Sequence, residues 1–333
     1  MRDDVLEISY DMRMQNIAFY GSKGSGKSNH VLPMLANEQL DRRSEGALFI
    51  IEKSDISWML YALAKKYHRE VLFLTPSCNA EMKTLINSGV SDVSDVDKLV
   101  NFVDILQQKK IVIIDAEPYR YQKKSVDLVA TLLMKLQTNM HHNSHETPFF
   151  VYIEDGDLYL PYVKDLITYG GQFGIGSTLF FQGRALMNAQ SPVLSYFVEA
   201  NIRTTVLMNA LIYDDFKYFK ERFYGEAEDD AIMMQRKQNQ LLVESVDASG
   251  NRKISFTDVR FVAPQIIREV VEEAANLREK KLHDEAFSYS VAKEEVVAEP
   301  KPKKEVNLQT PTHSARQYQP TSKIFISEED LFN

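Results

Sequence analysis

Gly21-Ser22-Lys23-Gly24-Ser25-Gly26-Lys27-Ser28 follows the apolar run 16–20 and precedes a second apolar stretch that begins at Val31. A G-x-x-x-x-G-K-[ST] pattern between a predicted strand and a predicted helix is typical of a phosphate-binding loop. Its glycines allow successive backbone N–H groups to turn toward an anion, which the amino-terminal end of the next helix also attracts. This stretch therefore predicts an α/β fold with a phosphate site at the end of a strand.

The loop assigns roles to individual side chains. Lys27 is expected to reach the β- and γ-phosphates of a nucleotide, and the Ser28 hydroxyl to complete the shell of a metal ion. The predicted cofactors are ATP and Mg²⁺. The residues predicted to bind the nucleotide are Gly21, Ser22, Lys23, Gly24, Ser25, Gly26, Lys27, Ser28 and Asn29.

Outward from the loop, apolar strands alternate with helices. Continuous apolar runs of the kind that a parallel sheet buries on both faces occur at 47–52, 71–74, 111–115, 149–153, 177–181 and 202–207. We expect an entry hairpin over 5–20, helices at 27–39, 55–67 and 214–223, an edge hairpin at 240–256 and a last helix at 266–281. The alternation predicts an α/β fold in which helices flank a mostly parallel central sheet.

The 333 residues are predicted to form one domain over 1–286, with a polar, variable insert at 77–108. Residues 287–333 contain few apolar side chains, so their burial cannot offset the entropy of ordering, and we expect a disordered tail. The tail ends in a mixed apolar and acidic stretch, 323–333, which is typical of a peptide that docks on a partner.

Composition narrows the classes of function. The net charge of −8 argues against broad electrostatic binding of nucleic acid, so any contact with DNA is expected to be local. Cys78 is the single cysteine, which fits a reducing compartment. No apolar run approaches the roughly 20 residues that span a bilayer, and the amino terminus lacks a signal-peptide pattern. The chain is expected to be cytoplasmic, with at most peripheral recruitment to a membrane.

Hydrolysis requires carboxylates at a strand end, and two strands offer them. The first is 149–153, followed by Glu154-Asp155, and the second is 111–114, followed by Asp115 and Glu117. We favour the first, with Glu154 beside Ser28 in the metal shell and Asp155 at the attacking water. The alternative is a solvated acidic turn at 154–157. For Asp115 we expect a structural or capping role.

Several of these stretches resemble one family. The loop with Val31-Leu32-Pro33, the strand end Glu52-Lys53-Ser54-Asp55, the pair Glu154-Asp155, and the segment from Leu160 to Gln182 are similar to the FtsK–HerA superfamily of DNA-translocating ATPases. Within it, the similarity is greatest to conjugative coupling proteins of the TraG/TraD type. It covers about 15–270, and the segment 160–182 discriminates better than the phosphate-binding loop does.

The resemblance implies a RecA-like P-loop core that assembles as a ring, commonly a hexamer, with ATP between subunits. Gln182 matches the family's polar sensor of the γ-phosphate; the alternative is an ordinary strand-end amide. Arg184 and Arg203 are candidates for an arginine finger, and surface salt bridges are the alternative. Secretion-channel, relaxase or capsid partners are implied to bind through the tail.

Departures from the family are also visible. Coupling proteins usually carry membrane helices and a large helical insertion, whereas this chain shows no membrane helix and only the short stretch 77–108. Gly171 stands where members often have arginine, and Glu52-Lys53-Ser54 stands where an Asp-Pro-Lys-Gly run is common. These differences argue against membrane anchoring and relaxase recruitment. They do not affect the predicted ATPase motor.

Two further clusters have open interpretations. The segment 119–124 interleaves aromatic and basic side chains and either contacts DNA in a ring pore or forms a solvated helical turn. His141, His142 and His145 lack a nearby carboxylate or cysteine at ligand spacing, which favours a surface loop over a metal site.

The leading hypothesis is an ATP-driven DNA translocase in conjugation or packaging. The second is an ATP-dependent assembly or partitioning switch that acts on a protein through the tail. A small-molecule kinase is disfavoured, because no arginine-rich lid pattern is present.

Overall fold

The computed structural model describes residues 8–297 except 91, 225–239, 248, 259–261 and 263. One compact unit ends at Ser288, and a second begins at Tyr289. Of the second unit, only the helical backbone as far as Val297 is described.

The described strands are β1 Ile17–Tyr20, β2 Gly46–Ile51, β3 Val71–Leu74, β4 Ile111–Asp115, β5 Phe149–Ile153, β6 Ile175–Phe181, β7 Thr204–Leu207, β8 Gln240–Val246 and β9 Arg252–Asp258. They form one sheet in the order β3-β4-β2-β5-β6-β1-β7-β8-β9. Pairing is parallel from β3 through β7, and β8 and β9 are antiparallel. The predicted mostly parallel α/β core is confirmed.

The described α-helices are α1 Tyr10–Met14, α2 Leu32–Asp41, α3 Ser54–Lys66, α4 Ala80–Ser88, α5 Phe102–Gln108, α6 Pro118–Tyr121, α7 Lys123–Asn139, α8 Gly156–Tyr159, α9 Lys164–Tyr169, α10 Arg184–Gln190, α11 Pro192–Asn201, α12 Tyr213–Tyr224 and α13 Pro264–Val297. A π-helical turn, Lys27–Val31, precedes α2. Short 3₁₀ helices lie at Val93–Lys98, Met140–His142, Leu160–Tyr162 and Gly170–Phe173.

The central strands are buried on both faces. In β1, Ile17 and Phe19 belong to the core beneath α2 and α3, while Ala18 and Tyr20 belong to the core beneath α7 and α12. Successive side chains of a strand point to opposite faces, so one short apolar run supplies both cores. This explains why the strands read as unbroken apolar runs.

The residues before β1 correct one prediction. The expected entry hairpin over 5–20 is wrong for the described residues 8–20, where the short helix α1 precedes β1. Ser9 caps α1 by accepting a hydrogen bond from the Met12 N–H at 3.2 Å. Arg13 then forms a buried ion pair with Glu45 at 2.6 Å, a contact between distant residues that local sequence does not reveal.

Two other segments differ in extent from the expectation. The insert 77–108 contains α4, a 3₁₀ helix and α5. The last helix, predicted at 266–281, begins at Pro264 and continues to Val297, in keeping with the strong helix formers Ala292, Lys293, Glu294 and Glu295. The predicted tail begins at 287; its residues 298–333, including the expected docking peptide, lie outside the described residues.

Candidate nucleotide-binding site

The phosphate-binding loop leaves the end of β1 between the two neighbouring strands. The Gly21 N–H donates to the Phe181 carbonyl at 3.2 Å, and the Ser22 N–H donates to the Ala210 carbonyl at 2.7 Å. Gly24 and Gly26 have φ angles of +85° and +93°, which a residue with a Cβ adopts only with strain. Neighbouring strands therefore fix the start of the loop, and the glycines permit its turn.

The Lys27 side chain folds back into the loop. Its ammonium contacts the Gly21 carbonyl and lies 3.2 Å from the Ser22 carbonyl and 3.4 Å from Ser25 Oγ. Burial lowers the pKa of Lys27, and the nearby carboxylates of Asp155 and Asp157 oppose that shift. The loop thus carries a buried cation at the position where the motif expects phosphate oxygens.

Ser28 and Glu154, 126 residues apart, meet at the base of the site. The Ser28 hydroxyl donates to Glu154 Oε1, and Glu154 Oε2 accepts a hydrogen bond from the Glu52 N–H at 3.1 Å. Glu154 follows β5 and is 4% exposed. A hydroxyl and a carboxylate in contact are oxygen ligands of the type that Mg²⁺ takes together with water and phosphate. These two residues therefore fit the predicted metal.

Asp155 and Gln182 come from adjacent strands. Asp155 has a φ of +49°, an uncommon value for a residue other than glycine, and its carboxylate borders the cavity. Gln182 Nε2 lies 3.5 Å from Asp155 Oδ1. Gln182 follows β6, which lies between β5 and β1, so the strand order places it between the acid pair and the loop.

The site is a cavity of about 300 Å³ at the carboxyl ends of the parallel strands. Residues 23–30 line one side, and Lys53, Tyr119, Glu154, Asp155 and Gln182 line the other. Gly21 and Ser22 do not line it, and their N–H groups donate to the Phe181 and Ala210 carbonyls. Lys53, Tyr119 and His30 were not among the predicted site residues. Lys53 lies shortly after β2, and Tyr119 lies shortly after β4. These positions just beyond the ends of strands were the sequence signal that could have identified them as site residues.

Glu52, directly after β2, also belongs to the site. Its side chain is 6% exposed, and burial, a hydrogen bond to Asp155 and the charges of Asp155 and Glu154 raise its pKa to about 10. Carboxyl groups this close cannot all ionise together. Burial beside two other carboxyl groups therefore favours the protonated form of Glu52.

The remaining predicted residues lie elsewhere. Arg184 Nε lies 2.5 Å from Glu199 Oε1, and its guanidinium covers the Tyr218 ring at 3.6 Å. Arg203 precedes β7, at the amino ends of the parallel strands and opposite the loop, and donates to the Asp247 carbonyl at 3.1 Å. Neither lines the cavity, and an arginine-finger role for either stays a prediction.

Asp115, the acid of the competing strand, has a structural environment. It is fully buried and accepts hydrogen bonds from the Ser57 hydroxyl at 2.8 Å and the Glu117 N–H at 3.1 Å. It does not line the cavity.

The described residues contain neither a cluster of metal-binding side chains nor a membrane-spanning helix. Within them, His, Cys, Asp and Glu side chains do not assemble in threes or more as a metal cluster. None of the described helices has the length and apolar character needed to cross a membrane.

Known proteins resemble this chain in fold. No family model and no curated protein matches the chain. Among solved structures, VirB4 of Thermoanaerobacter pseudethanolicus matches with a TM-score of 0.51 and 8% identity, covering 76% of this chain and 91% of VirB4. This likeness is one of fold.

Two further matches are weaker. The plasmid coupling protein TrwB in complex with ADP and Mg²⁺ gives a TM-score of 0.48 at 11% identity, covering 80% of this chain and 92% of TrwB. The genome packaging NTPase B204 from Sulfolobus turreted icosahedral virus 2, in complex with ATPγS, gives 0.43 at 14% identity, covering 77% and 98%.

Proposed function

We propose that this chain is a Mg²⁺-dependent ATPase that moves DNA, as a translocase or coupling ATPase in conjugative transfer or related DNA packaging. One observation carries the proposal. A phosphate-binding loop with Lys27 and Ser28 faces the acid pair Glu154–Asp155 across a single cavity, with Ser28 and Glu154 in direct contact. Binding alone does not require the acid pair, whereas hydrolysis does.

The residues divide the work of hydrolysis. Lys27 binds the β- and γ-phosphates, and Ser28 and Glu154 hold the metal. When bound, Mg²⁺ neutralises charge on the phosphates. Asp155 orients the attacking water and takes its proton as the water oxygen bonds to the γ-phosphorus and the bond to the β–γ bridging oxygen breaks. Gln182, 3.5 Å from Asp155, orients the same water.

The acid pair has the order Glu-Asp, opposite to the usual Asp-Glu, and the backbone offers a compensation. Glu154 has the longer side chain, yet its carboxylate remains buried against Ser28. The left-handed conformation of Asp155 directs the shorter side chain to the cavity. The carboxyl group of Glu52 lies next to that carboxylate. This arrangement supports a hydrolytic site rather than a purely binding one.

The first prediction concerns activity. ATP hydrolysis by the full chain should require Mg²⁺, rise when single- or double-stranded DNA is added, and fall at least about 100-fold in Lys27→Ala, because a phosphate contact made in the transition state is lost. Phosphate release is measured with and without each DNA, and the oligomeric state is measured in the same samples. Lys217→Ala, an exposed lysine on α12, is the matched control. If the rate of ATP hydrolysis is the same with and without DNA, the DNA-translocase proposal is rejected. The ATP-dependent switch would then be the remaining hypothesis.

The DNA contact is proposed for the segment 119–124. The segment is anchored at both ends: the Glu117 carboxylate accepts hydrogen bonds from Ser77 and, at 3.1 Å, from Thr75, and the Ser125 hydroxyl donates to the Gln122 carbonyl at 2.8 Å. Glu117 and Gln122 have φ angles of +48° and +51°, which mark a locally strained backbone. The segment is therefore held in place while its middle faces solvent.

The exposed side chains of this segment suit a nucleic-acid backbone. Tyr119 is 76% exposed, the Arg120 side chain is 62% exposed, and Lys123 and Lys124 are exposed. Arg120 pairs with Glu117 at 3.4 Å, an exposed pair that contributes little and can exchange for a phosphate. Aromatic and basic groups together bind single-stranded nucleic acid by stacking and charge. Tyr119 also borders the nucleotide cavity, so the segment adjoins both proposed ligands.

The second prediction tests this surface. Replacing Arg120, Lys123 and Lys124 with alanine should weaken DNA binding about tenfold or more and reduce the salt dependence, because each lost phosphate contact lowers the slope by about one. Fluorescence anisotropy of labelled DNA over a salt series provides the measurement. The control replaces Lys98, Lys164 and Lys217, three exposed lysines elsewhere, and removes the same charge. Equal losses in the two triple variants would show that only net charge matters.

A further inference from the structure

Lys53 places a second cation at the proposed metal site. Its ammonium donates to Ser28 Oγ at 3.0 Å and lies 3.8 Å from Glu154 Oε1. These are the two oxygens that hold Mg²⁺ in the proposed ATPase. The ammonium therefore contacts the same pair of ligands that the metal requires.

The pair needs a cation when the nucleotide is absent. Glu154 is buried, and a buried carboxylate is costly unless hydrogen-bonded and paired with positive charge. Glu154 Oε2 has the Glu52 N–H, while Oε1 has the Ser28 hydroxyl and the Lys53 ammonium. The Lys27 ammonium contacts the Gly21 and Ser22 carbonyls within the loop, and no contact between it and Glu154 is described. Lys53 thus supplies the positive charge nearest to this carboxylate among the contacts described.

The Lys53 ammonium is free to move away from Ser28 and Glu154. Its side chain is 49% exposed and has four rotatable carbon–carbon bonds. It lines both the nucleotide cavity and a neighbouring cavity of about 590 Å³. The neighbouring cavity is lined by the acidic side chains of Asp55 and Glu117, so a displaced ammonium meets carboxylates there.

We propose that Lys53 is a resident counter-ion of the metal site: in the nucleotide-free protein its ammonium occupies the ligand pair Ser28–Glu154, and it withdraws when metal and nucleotide enter. The inference rests on the proposed function, since it assumes that Ser28 and Glu154 hold Mg²⁺. Because one pair of oxygens cannot serve both cations, Lys53 competes with the metal. The competition keeps the metal affinity of the empty site low and returns the site to a neutralised state after product release.

The third prediction is that removing Lys53 strengthens binding of the metal alone. Lys53→Met should bind Mn²⁺, an oxygen-seeking substitute for Mg²⁺, about tenfold more tightly than the unmodified chain in the absence of nucleotide, because a like charge within 4–6 Å disfavours a second cation. Free Mn²⁺ is counted by electron paramagnetic resonance on the full chain. Lys23→Met is the matched control, because Lys23 lines the same cavity and no contact between it and the Ser28–Glu154 pair is described.

The Mn²⁺ affinities of the variants decide whether Lys53 is the counter-ion. Tighter Mn²⁺ binding in Lys53→Met, with little change in Lys23→Met, supports the counter-ion. Equal gains in both variants, or no gain in Lys53→Met, overturn it. Lys53→Gln, a polar and uncharged replacement, must give the same gain as Lys53→Met, and thermal melts confirm that each variant is folded. Failure of the unmodified chain to bind ATP, measured separately with Lys27→Ala as the negative control, would instead reject the proposed function.

Discussion

Asp157 has two carboxylate oxygens in different surroundings. Oδ2 accepts a hydrogen bond from the Gln182 N–H at 2.9 Å, whereas Oδ1 is buried with no hydrogen-bond partner among the described residues. Burial raises the pKa of Asp157 to about 6. Between about pH 4 and pH 6, Asp157 in the folded protein therefore retains a proton. The same side chain in the unfolded chain, with a pKa of about 3.9, has released it.

The fourth prediction concerns this proton. The stability that a raised carboxyl pKa provides is fully present below the unfolded pKa and is lost as pH rises through about 6. Asp157→Asn keeps an acceptor for the Gln182 N–H and removes the charge. Its free energy of unfolding should match that of the unmodified chain near pH 4 and exceed it by about 2 kcal/mol at pH 7. Urea unfolding at both values decides; a difference between the two proteins that is the same at both would refute the shift.

At the residue scale, the sequence predicted side chains that a motif specifies. Ser28 and Glu154, which were both proposed as metal ligands, are in contact, and each belongs to a local pattern: the loop and an acidic strand end. Glu52, Lys53 and Tyr119 were missed as site residues, because their role depends on which strands are neighbours. β2 lies beside β5, and that adjacency brings Glu52 and Lys53 to Glu154. Their positions after strands indicate which end of the sheet they occupy, but not which side chains they contact there.

At the scale of elements, α13 packs on α3, the helix that begins directly after Lys53. Val270 and Ala274 are buried, Lys66 lies 2.7 Å from Glu269, and Arg278 lies 3.3 Å from Asp55. Exposed ion pairs such as these contribute little, so the apolar contacts dominate the docking. Apolar contacts therefore hold the amino-terminal part of α13 in the core that also contains α3.

The fifth prediction measures this docking. Val270→Ala should lower the free energy of unfolding by about 1–2 kcal/mol, because apolar area is returned to water and a small cavity remains. Val271→Ala, at a side chain that is 50% exposed on the next residue, should change it by less than about 0.5 kcal/mol. Urea denaturation of both variants gives the comparison. Equal losses would mean that α13 does not contribute its buried face to the folded unit.

The sequence did not predict elements whose position depends on contacts between residues far apart in the chain. The strands were predicted to within a few residues, since each is an apolar run between polar turns. α1 has five residues, too few to show a helical period, and its position is set by the pair of Arg13 with Glu45. A local pattern predicts an element well only when local contacts determine it.

At the scale of the whole molecule, the two ends of the parallel strands have different chemistry. The carboxyl ends carry the cavity and its cluster of carboxylates and lysines. At the amino ends, Arg69 donates to the carbonyls of Leu40, Arg42 and Lys109 at 3.2, 2.9 and 3.2 Å. Arg13 adds hydrogen bonds to Gln39 and Glu45. Buried, charge-assisted hydrogen bonds thus hold the turns at one end, while the other end is open to ligands.

The strand order also bears on how the protein is made. Among the described strands, β6 and β7 are the partners of β1, so the loop that follows β1 leaves the ribosome long before those partners are made. The contact of Ser22 with Ala210 joins residues 188 positions apart. Strands β2 to β5 can pair with one another during synthesis, whereas β1 cannot be paired on both sides until β6 and β7 have been made. A nascent chain shorter than about 210 residues therefore carries the phosphate-binding sequence without a nucleotide site.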